Sequence, residues 1–315
     1  MSPLYLGFDL GGTNLRAAVA RIDGADVTLA GRDARATPQT GPDAVVAALI
    51  DSARAALDAA GTPIGDVAAA GLSAPGPLDH RTGVILTTQN IAGFANSNFP
   101  LAERVARDLG GPPVYLDRDT VMAAIGEGTI GAAKGARDFV YLTVSTGVGG
   151  AIVTGGKMVR GVSTTAGELG HFPVGFDRDV RCRCGSFGCV EAYAAGRNLA
   201  EAYGVADASI VYAKAASGDA RASALIARAE LALQNLAVGI VNALNPERIV
   251  VGGSVAEHEP AHVIEPMRRA IAERAFKVPA AAVRVVPSVL GADVSVIGSA
   301  LAARDRANGT AEWFL

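Results

Sequence analysis

The sequence predicts an α/β protein with two α/β domains, and three observations carry that expectation. Short apolar runs that read as strands alternate with amphipathic stretches that read as helices, the pattern of layered folds with mixed sheets. Two segments echo each other: "YLGFDLGGTNLRAAVARI" and "FVYLTVSTGVGGAIVTGGKMV" both run from an apolar strand through a glycine turn into a second strand. The turns fall at Gly11 and Gly12 in the first, and at Gly147, Gly149 and Gly150 in the second. Such a pair suggests a duplicated architecture with a ligand between the halves, with chance similarity the alternative in a chain of 38 glycines. Finally, 315 residues, 50% of them hydrophobic, are enough for two cores.

Taken in order, the first glycine turn is followed by "GPDAVVAALIDSARAALDAAG", an amphipathic helix. Val46, Leu49, Ile50, Ala53 and Leu57 share one face, Pro42 opens it and Gly61 stops it. "DVAAAGLSAPGP" reads as a buried strand ending in a Pro/Gly loop. "PPVYLDRDTVMAAIGEG" reads as a strand through Leu116 and a helix from about Thr120. Beyond the second glycine turn, Ala220 to Leu244 forms the longest helix, and "ERIVVGGSVAE" is a strand running into a further glycine turn. The division is expected near Asp119: residues 1–118 form an N-terminal domain and 119–297 a C-terminal one. A last helix after Gly298, within 298–315, packs back onto the first half.

Charge narrows the function classes. Lys and Arg total 28 against 31 Asp and Glu, a net charge of −3, so the basic face that nucleic acid requires is not expected. The N-terminus "MSPLYLGFDLGG" has no basic region followed by an apolar stretch and a cleavage site, and secretion is not expected. The apolar "ALIARAELALQNLAVGIVNAL" is interrupted by Arg228, Glu230, Gln234 and Asn235, and reads as a buried or half-buried helix rather than a membrane span. A cytoplasmic protein is the expectation.

All three cysteines lie in "GHFPVGFDRDVRCRCGSFGCVE". An odd count without secretory signals argues against a disulfide framework. Cys182, Cys184 and Cys189 offer three thiolates, and His171 is the nearest fourth ligand, since the other histidines stand at positions 80, 258 and 262. Cys₃His is a common structural zinc set, and Gly185 and Gly188 allow the bends that converge the sulfurs. The rivals fit less well. A redox pair would want Cys-x-x-Cys, and a nucleic-acid zinc ribbon two such knuckles in basic surroundings, whereas only Arg178, Arg181 and Arg183 are locally basic.

"DLGGTN" is not a P-loop, because no Gly-Lys-Ser/Thr follows. It still supplies what a phosphate needs: glycines for close backbone approach, Thr13 and Asn14 as donors, and Asp9 to hold Mg²⁺ through water. "STGVGG" adds Ser145 and Thr146, and "VVGGS" adds Gly252 and Gly253. One such turn is an ordinary hairpin; three together point to a nucleotide.

"DLGGTN", "APGP", "STGVGG", "GELGH" and "CRCGSFGCVE", in this order and spacing, resemble the ROK family (repressors, open reading frames and kinases), most closely its bacterial glucokinases. The resemblance covers nearly the whole chain. It implies an actin-like, ribonuclease-H-like ATPase fold, two domains with a cleft that closes over sugar and ATP, structural Zn²⁺, and a homodimer in many members. By motif it implies nucleotide contacts from Asp9, Gly11, Gly12, Thr13, Asn14, Thr146, Gly147, Gly149, Gly252 and Gly253. It implies sugar contacts from Gly76, Asn90, Asp119, Glu168, His171 and Glu191. Asp119 in "YLDRDTV" matches the catalytic base, which takes the proton of the attacking hydroxyl. Apart from the resemblance, Asp119 reads as a cap for the helix that follows.

One position departs from the pattern. Arg118 stands where the family usually has Asn, and a charged, donor-only side chain cannot reproduce an amide contact to a hydroxyl. Pairing with Asp117 or Asp119, pointing away, binding a phosphate oxygen and selecting another sugar all stay open. The expected function is ATP-dependent hexose kinase, with glucose phosphorylated at O6. The alternatives are N-acetylmannosamine, N-acetylglucosamine, fructose, mannose or allose as substrate, or a non-catalytic sugar sensor. Polyphosphate as donor finds no extended Lys/Arg track, and a repressor is not expected, since "DLGGT" begins at residue 9 and leaves no room ahead for a helix-turn-helix.

Overall fold

The first glycine hairpin forms β1 (Leu4–Leu10) and β2 (Asn14–Asp23), antiparallel and closed by the pairing of Leu10 with Leu15. β3 (Asp26–Ala36) adds antiparallel to β2. α1 (Pro42–Ala60) then buries Val46, Leu49, Ile50, Ala53 and Leu57, the face that the apolar spacing predicts. Pro42 sits in its first turn and Gly61, at φ 61°, terminates it. The helix carries the chain back for parallel pairing of β4 (Val67–Ala74) with β1. A small ribbon of β5 (Leu78–Asp79) and β6 (Val84–Ile85) follows, then α2 (Leu101–Leu109), β7 (Val114–Arg118) parallel to β4, and α3 (Asp119–Thr129). The structure, a computed structural model, describes residues 3–86, 91, 93, 94, 98–176, 178, 180–310 and 313.

The second hairpin, β8 (Phe139–Val144) and β9 (Val148–Thr154), continues into β10 (Lys157–Met158). After the cysteine segment come α4 (Val190–Ala194), α5 (Gly196–Tyr203), α6 (Ala208–Ala216) and α7 (Ala220–Leu244). β11 (Arg248–Gly252), α8 (Ser254–His258), α9 (Pro260–Arg274), α10 (Lys277–Ala282) and β12 (Arg284–Pro287) complete this half. Its strand order, β10-β9-β8-β11-β12, repeats the β3-β2-β1-β4-β7 of the first half, with the same sequence of antiparallel and parallel pairings.

The chain forms two compact units. The first holds Met1–Gly135, Arg160–Thr165 and Asp293–Leu315; the second holds Ala136–Val159 and Ala166–Ala292. The first therefore runs past the expected division at Asp119, because α3 packs on the last helix, α11 (Val294–Ala307). That helix begins four residues ahead of Gly298, not after it. Gly298 lies inside, where a Cβ would collide with the Met122 carbonyl, so its bare backbone is what lets α3 and α11 touch. α3 likewise starts at Asp119 instead of Thr120, and Arg118 occupies its N-cap position.

Each unit has its own core. Leu6, Phe8, Leu15, Leu49 and Leu72 anchor the first; Val140, Leu142, Leu233, Ile249 and Met267 anchor the second. Each such side chain contributes about 1.5–3 kcal/mol on burial. α7 is long and apolar enough to cross a membrane by length and composition. Its Ile226, Ala229, Leu233, Leu236, Ala237 and Ile240 nevertheless form a buried stripe at helical spacing within the second core. Asp219 caps it by accepting the Ala222 amide at 2.8 Å.

Candidate functional site

In the first unit, strand register brings polar residues into a line. Asp9 of β1 pairs with Ser73 of β4, and Ser73 with Asp117 of β7, all at the carboxyl ends of parallel strands. Register partners share one face of a sheet. The Ser73 hydroxyl donates to Asp9 Oδ1 at 3.1 Å. Burial pushes the Asp9 carboxyl up, against the opposing pull of Ser73 and Arg16. A carboxylate so placed gains from a nearby cation, so its chemistry fits Mg²⁺ held beside the glycine turn. That turn is braced from behind: Thr37 Oγ1 donates to the Gly11 carbonyl at 2.7 Å and Gln39 Nε2 to the Gly12 carbonyl at 2.8 Å. Thr13 and Asn14 remain exposed at its tip.

Asp119 is exposed in the first turn of α3, and its Oδ1 accepts the Thr120 amide at 2.7 Å. It is thus the first helical residue, with Arg118 at the N-cap position that the sequence assigns to Asp119 as an alternative. Arg118 is buried, and its stem lies over Gly76, where a Cβ would sit 3.2 Å from Arg118 Cδ. The Asp117 carboxylate goes to Arg160, at 2.9 and 2.8 Å. Asn90 lies outside the described residues.

In the second unit, the β8–β9 turn and the start of α8 come together, with Ser145 Oγ and Ser254 Oγ 3.0 Å apart. Gly253 stands at φ 93°, and a Cβ there would press on Thr143 Oγ1 at 2.5 Å and the Val144 carbonyl at 2.6 Å; only glycine fits this turn. Thr146 is exposed at the tip of the β8–β9 turn. The "GELGH" loop rests on the start of β9, because Gly170 packs directly on the Val148 carbonyl and Gly167 on the backbone of Gly150. Glu191, in the first turn of α4, reaches the same place: its Oε2 accepts the Val148 amide at 3.1 Å, and a Cβ on Gly147 would lie 2.9 Å from that oxygen. Glu168, His171, Glu191 and the turn bearing Thr146, Gly147 and Gly149 therefore adjoin within one unit.

The cysteine loop closes on His171. The four ligand atoms of His171, Cys182, Cys184 and Cys189 all lie within 4.8 Å of one another. Cys182 Sγ is 3.6 Å from His171 Nδ1, and Cys184 Sγ is 3.8 Å from Cys189 Sγ. Tetrahedral zinc, with bonds of about 2.3 Å to sulfur and about 2.0–2.1 Å to nitrogen, requires edges of about 3.6 Å (S to N) and about 3.8 Å (S to S). Both observed edges match. Burial, and then Cys182, push the Cys189 thiol up to about 12, so a thiolate at that position needs a cation beside it. Gly185 and Gly188, at φ 91° and 69°, make the bends. The residues fit zinc.

Comparison with known proteins agrees with these motifs. The model of the ROK family matches residues 5–306. The chain belongs to the ROK family. The ROK hexokinase of Thermus thermophilus is 34% identical, with a TM-score of 0.79 over 97% of this chain and 99% of that one. A ROK glucokinase from Streptomyces griseus, solved with glucose and AMPPNP, is 28% identical, with a TM-score of 0.77 over 96% and 99%. An N-acetylmannosamine kinase of Shigella boydii is 37% identical over 79% of this chain and 82% of its own length. The two α/β units accordingly have the actin-like ATPase fold of ROK kinases.

Three polar residues of this ROK chain escape a motif reading. Ser73 is visible only through strand register. Ser254 directly follows the glycine pair Gly252 and Gly253, and its hydroxyl is the signal that could have marked it. Arg160 contacts Asp117 across 43 residues, and no local pattern announces it.

Proposed function

We propose that the protein is an ATP-dependent sugar kinase that phosphorylates glucose at O6 in the cytoplasm, as a homodimer of the kind the family resemblance implies. The observation that carries this proposal is Asp119, an exposed carboxylate at the head of α3, directly after the strand whose end bears Asp117. The Thr120 amide fixes its orientation, and its task is to accept the proton of the primary hydroxyl as that oxygen attacks the γ-phosphorus. Glu168, His171 and Glu191 pair the remaining hydroxyls, which must be satisfied once they leave water. The three glycine turns present backbone amides and hydroxyls to the nucleotide phosphates. Mg²⁺, when bound, neutralises phosphate charge, and zinc, when bound, immobilises the loop that carries His171. His171 gives Nδ1 to the cysteine cluster, which leaves Nε2 as its polar atom for the sugar.

N-acetylmannosamine is the second reading, favoured by the 37% identity to a kinase of that name. ADP release measured over hexoses and amino sugars, with ATP as donor, decides between them. The highest kcat/KM on glucose supports the proposal, the highest on N-acetylmannosamine replaces its substrate, and no turnover on any sugar removes the kinase assignment.

A further inference from the structure

Asp117 is 1% exposed, a position where an unpaired charge is costly. Arg160 meets it with a two-pronged fork, Nη1 to Oδ1 at 2.9 Å and Nη2 to Oδ2 at 2.8 Å. The same Oδ1 accepts the Arg118 amide at 2.8 Å. One carboxylate thus joins the guanidinium to the backbone that turns from β7 into α3, two residues ahead of Asp119. Arg160 reaches it from a short segment, 160–165, that packs in the first unit although the chain on either side belongs to the second. Thr164 adds a second attachment, donating to the Leu78 carbonyl at 3.0 Å. Around the pair stand His80, whose imidazole feels the charges of Arg160, Asp117, Arg306 and Asp79, and Arg306, which lies over the Tyr115 ring at 5.6 Å.

We infer that Arg160 is a positioning residue for phosphoryl transfer: by clamping Asp117 it fixes the Arg118 amide, and with it the direction in which Asp119 leaves the sheet. This inference rests on the assignment of Asp119 as the base. Attraction alone would not need a fork. A lysine supplies the same charge as a point, whereas the planar guanidinium sets the plane of the carboxylate and so the hydrogen bond behind it. Displacing a reacting group by about 1 Å costs about 10²-fold in rate.

Arg160→Lys and Arg160→Met, measured beside Asp119→Asn, test this. Arg160→Met is expected to lower kcat about 10- to 100-fold while the dissociation constants of sugar and nucleotide, titrated directly, stay within about threefold of wild type. Arg160→Lys is expected to restore part of that kcat and not all of it. Wild-type kcat in Arg160→Lys overturns the inference, as does a fall in kcat matched by equal loss of sugar and nucleotide affinity, the mark of general structural damage. Should Arg160→Met fail to fold, Arg160→Lys, which keeps the charge, decides alone. Asp119→Asn separates the two assignments. Normal turnover there removes the base itself, whereas a dead Asp119→Asn beside an Arg160→Lys of wild-type rate removes only Arg160.

Discussion

At the carboxyl ends of the first sheet, the line across β1, β4 and β7 reads Asp9, Ser73 and Asp117. The corresponding line across β8, β11 and the residue after β12 reads Thr143, Gly252 and Ser288. Asp9 and Thr143 each stand one residue before the pair that closes their hairpin, Leu10 with Leu15 and Val144 with Val148. Topology is shared, and charge is not. The first unit places two carboxylates on its line, Asp9 beside the glycine turn and Asp117 two residues ahead of Asp119. The second keeps its line neutral and short: a Cβ on Gly252 would lie 2.8 Å from Tyr141 Oη and 3.0 Å from Ser288 Cβ. On the proposed assignment of Asp119 as the base, the duplicated scaffold divides labour by what stands at strand ends, one half taking the chemistry and the other the recognition.

The sharpest way to break that contrast is Asp119→Asn. It should lower kcat by about 10²–10⁴ while sugar affinity survives, read by coupled ADP release and direct sugar titration. A comparable loss of sugar affinity would move Asp119 to the recognition side. Asp9→Asn should cost about 10²-fold in Mg²⁺-supported turnover yet leave the metal-free protein no less heat-stable, since the amide removes a buried charge. Burial raises the Asp9 carboxyl, so the folded chain keeps that proton just above the ordinary carboxylate range, where the unfolded chain has lost it. Stability of the metal-free protein should fall as pH rises through that window, and Asp9→Asn should flatten the slope in thermal melts.

On the recognition side, removing zinc by chelation, or Cys184→Ser, should weaken sugar binding about 10-fold before ATP binding changes. Metal analysis without near-stoichiometric zinc would remove the premise. The smallest effect is expected for Arg118→Asn, a shift of a few fold in the kcat/KM ranking of hexoses, equivalent to about 1 kcal/mol. An unchanged ranking makes Arg118 a packing residue over Gly76.

Much of this was legible in the sequence because it is local. The apolar face of α1, its two ends, the span of α7, the glycine turns and the zinc set all lie within short windows, where spacing and residue type determine geometry. Helix ends were less legible. Gly298 reads as a breaker before a helix, yet it lies within α11 because close packing on Met122 favours the absence of a side chain. Arg118 next to two aspartates invites a local ion pair, but Asp117 is claimed by Arg160 from 43 residues away. The link from Ser73 to Asp9 depends on which strands neighbour each other, which no window of sequence contains.

Glu191 carries one more consequence. Its Oε2 holds the Val148 amide at the root of the β8–β9 turn, while its Oε1 lies 4.0 Å from Cys182 Sγ. A sugar hydroxyl that recruits this carboxylate would share it with the amide at the root of the β8–β9 turn, the turn proposed for the nucleotide. Each ligand would then alter the affinity of the other by one and the same factor, a thermodynamic handshake between acceptor and donor. Titrating nucleotide with and without saturating sugar, in wild type and in Glu191→Gln, reads that factor directly; a value of one in wild type dissolves the handshake.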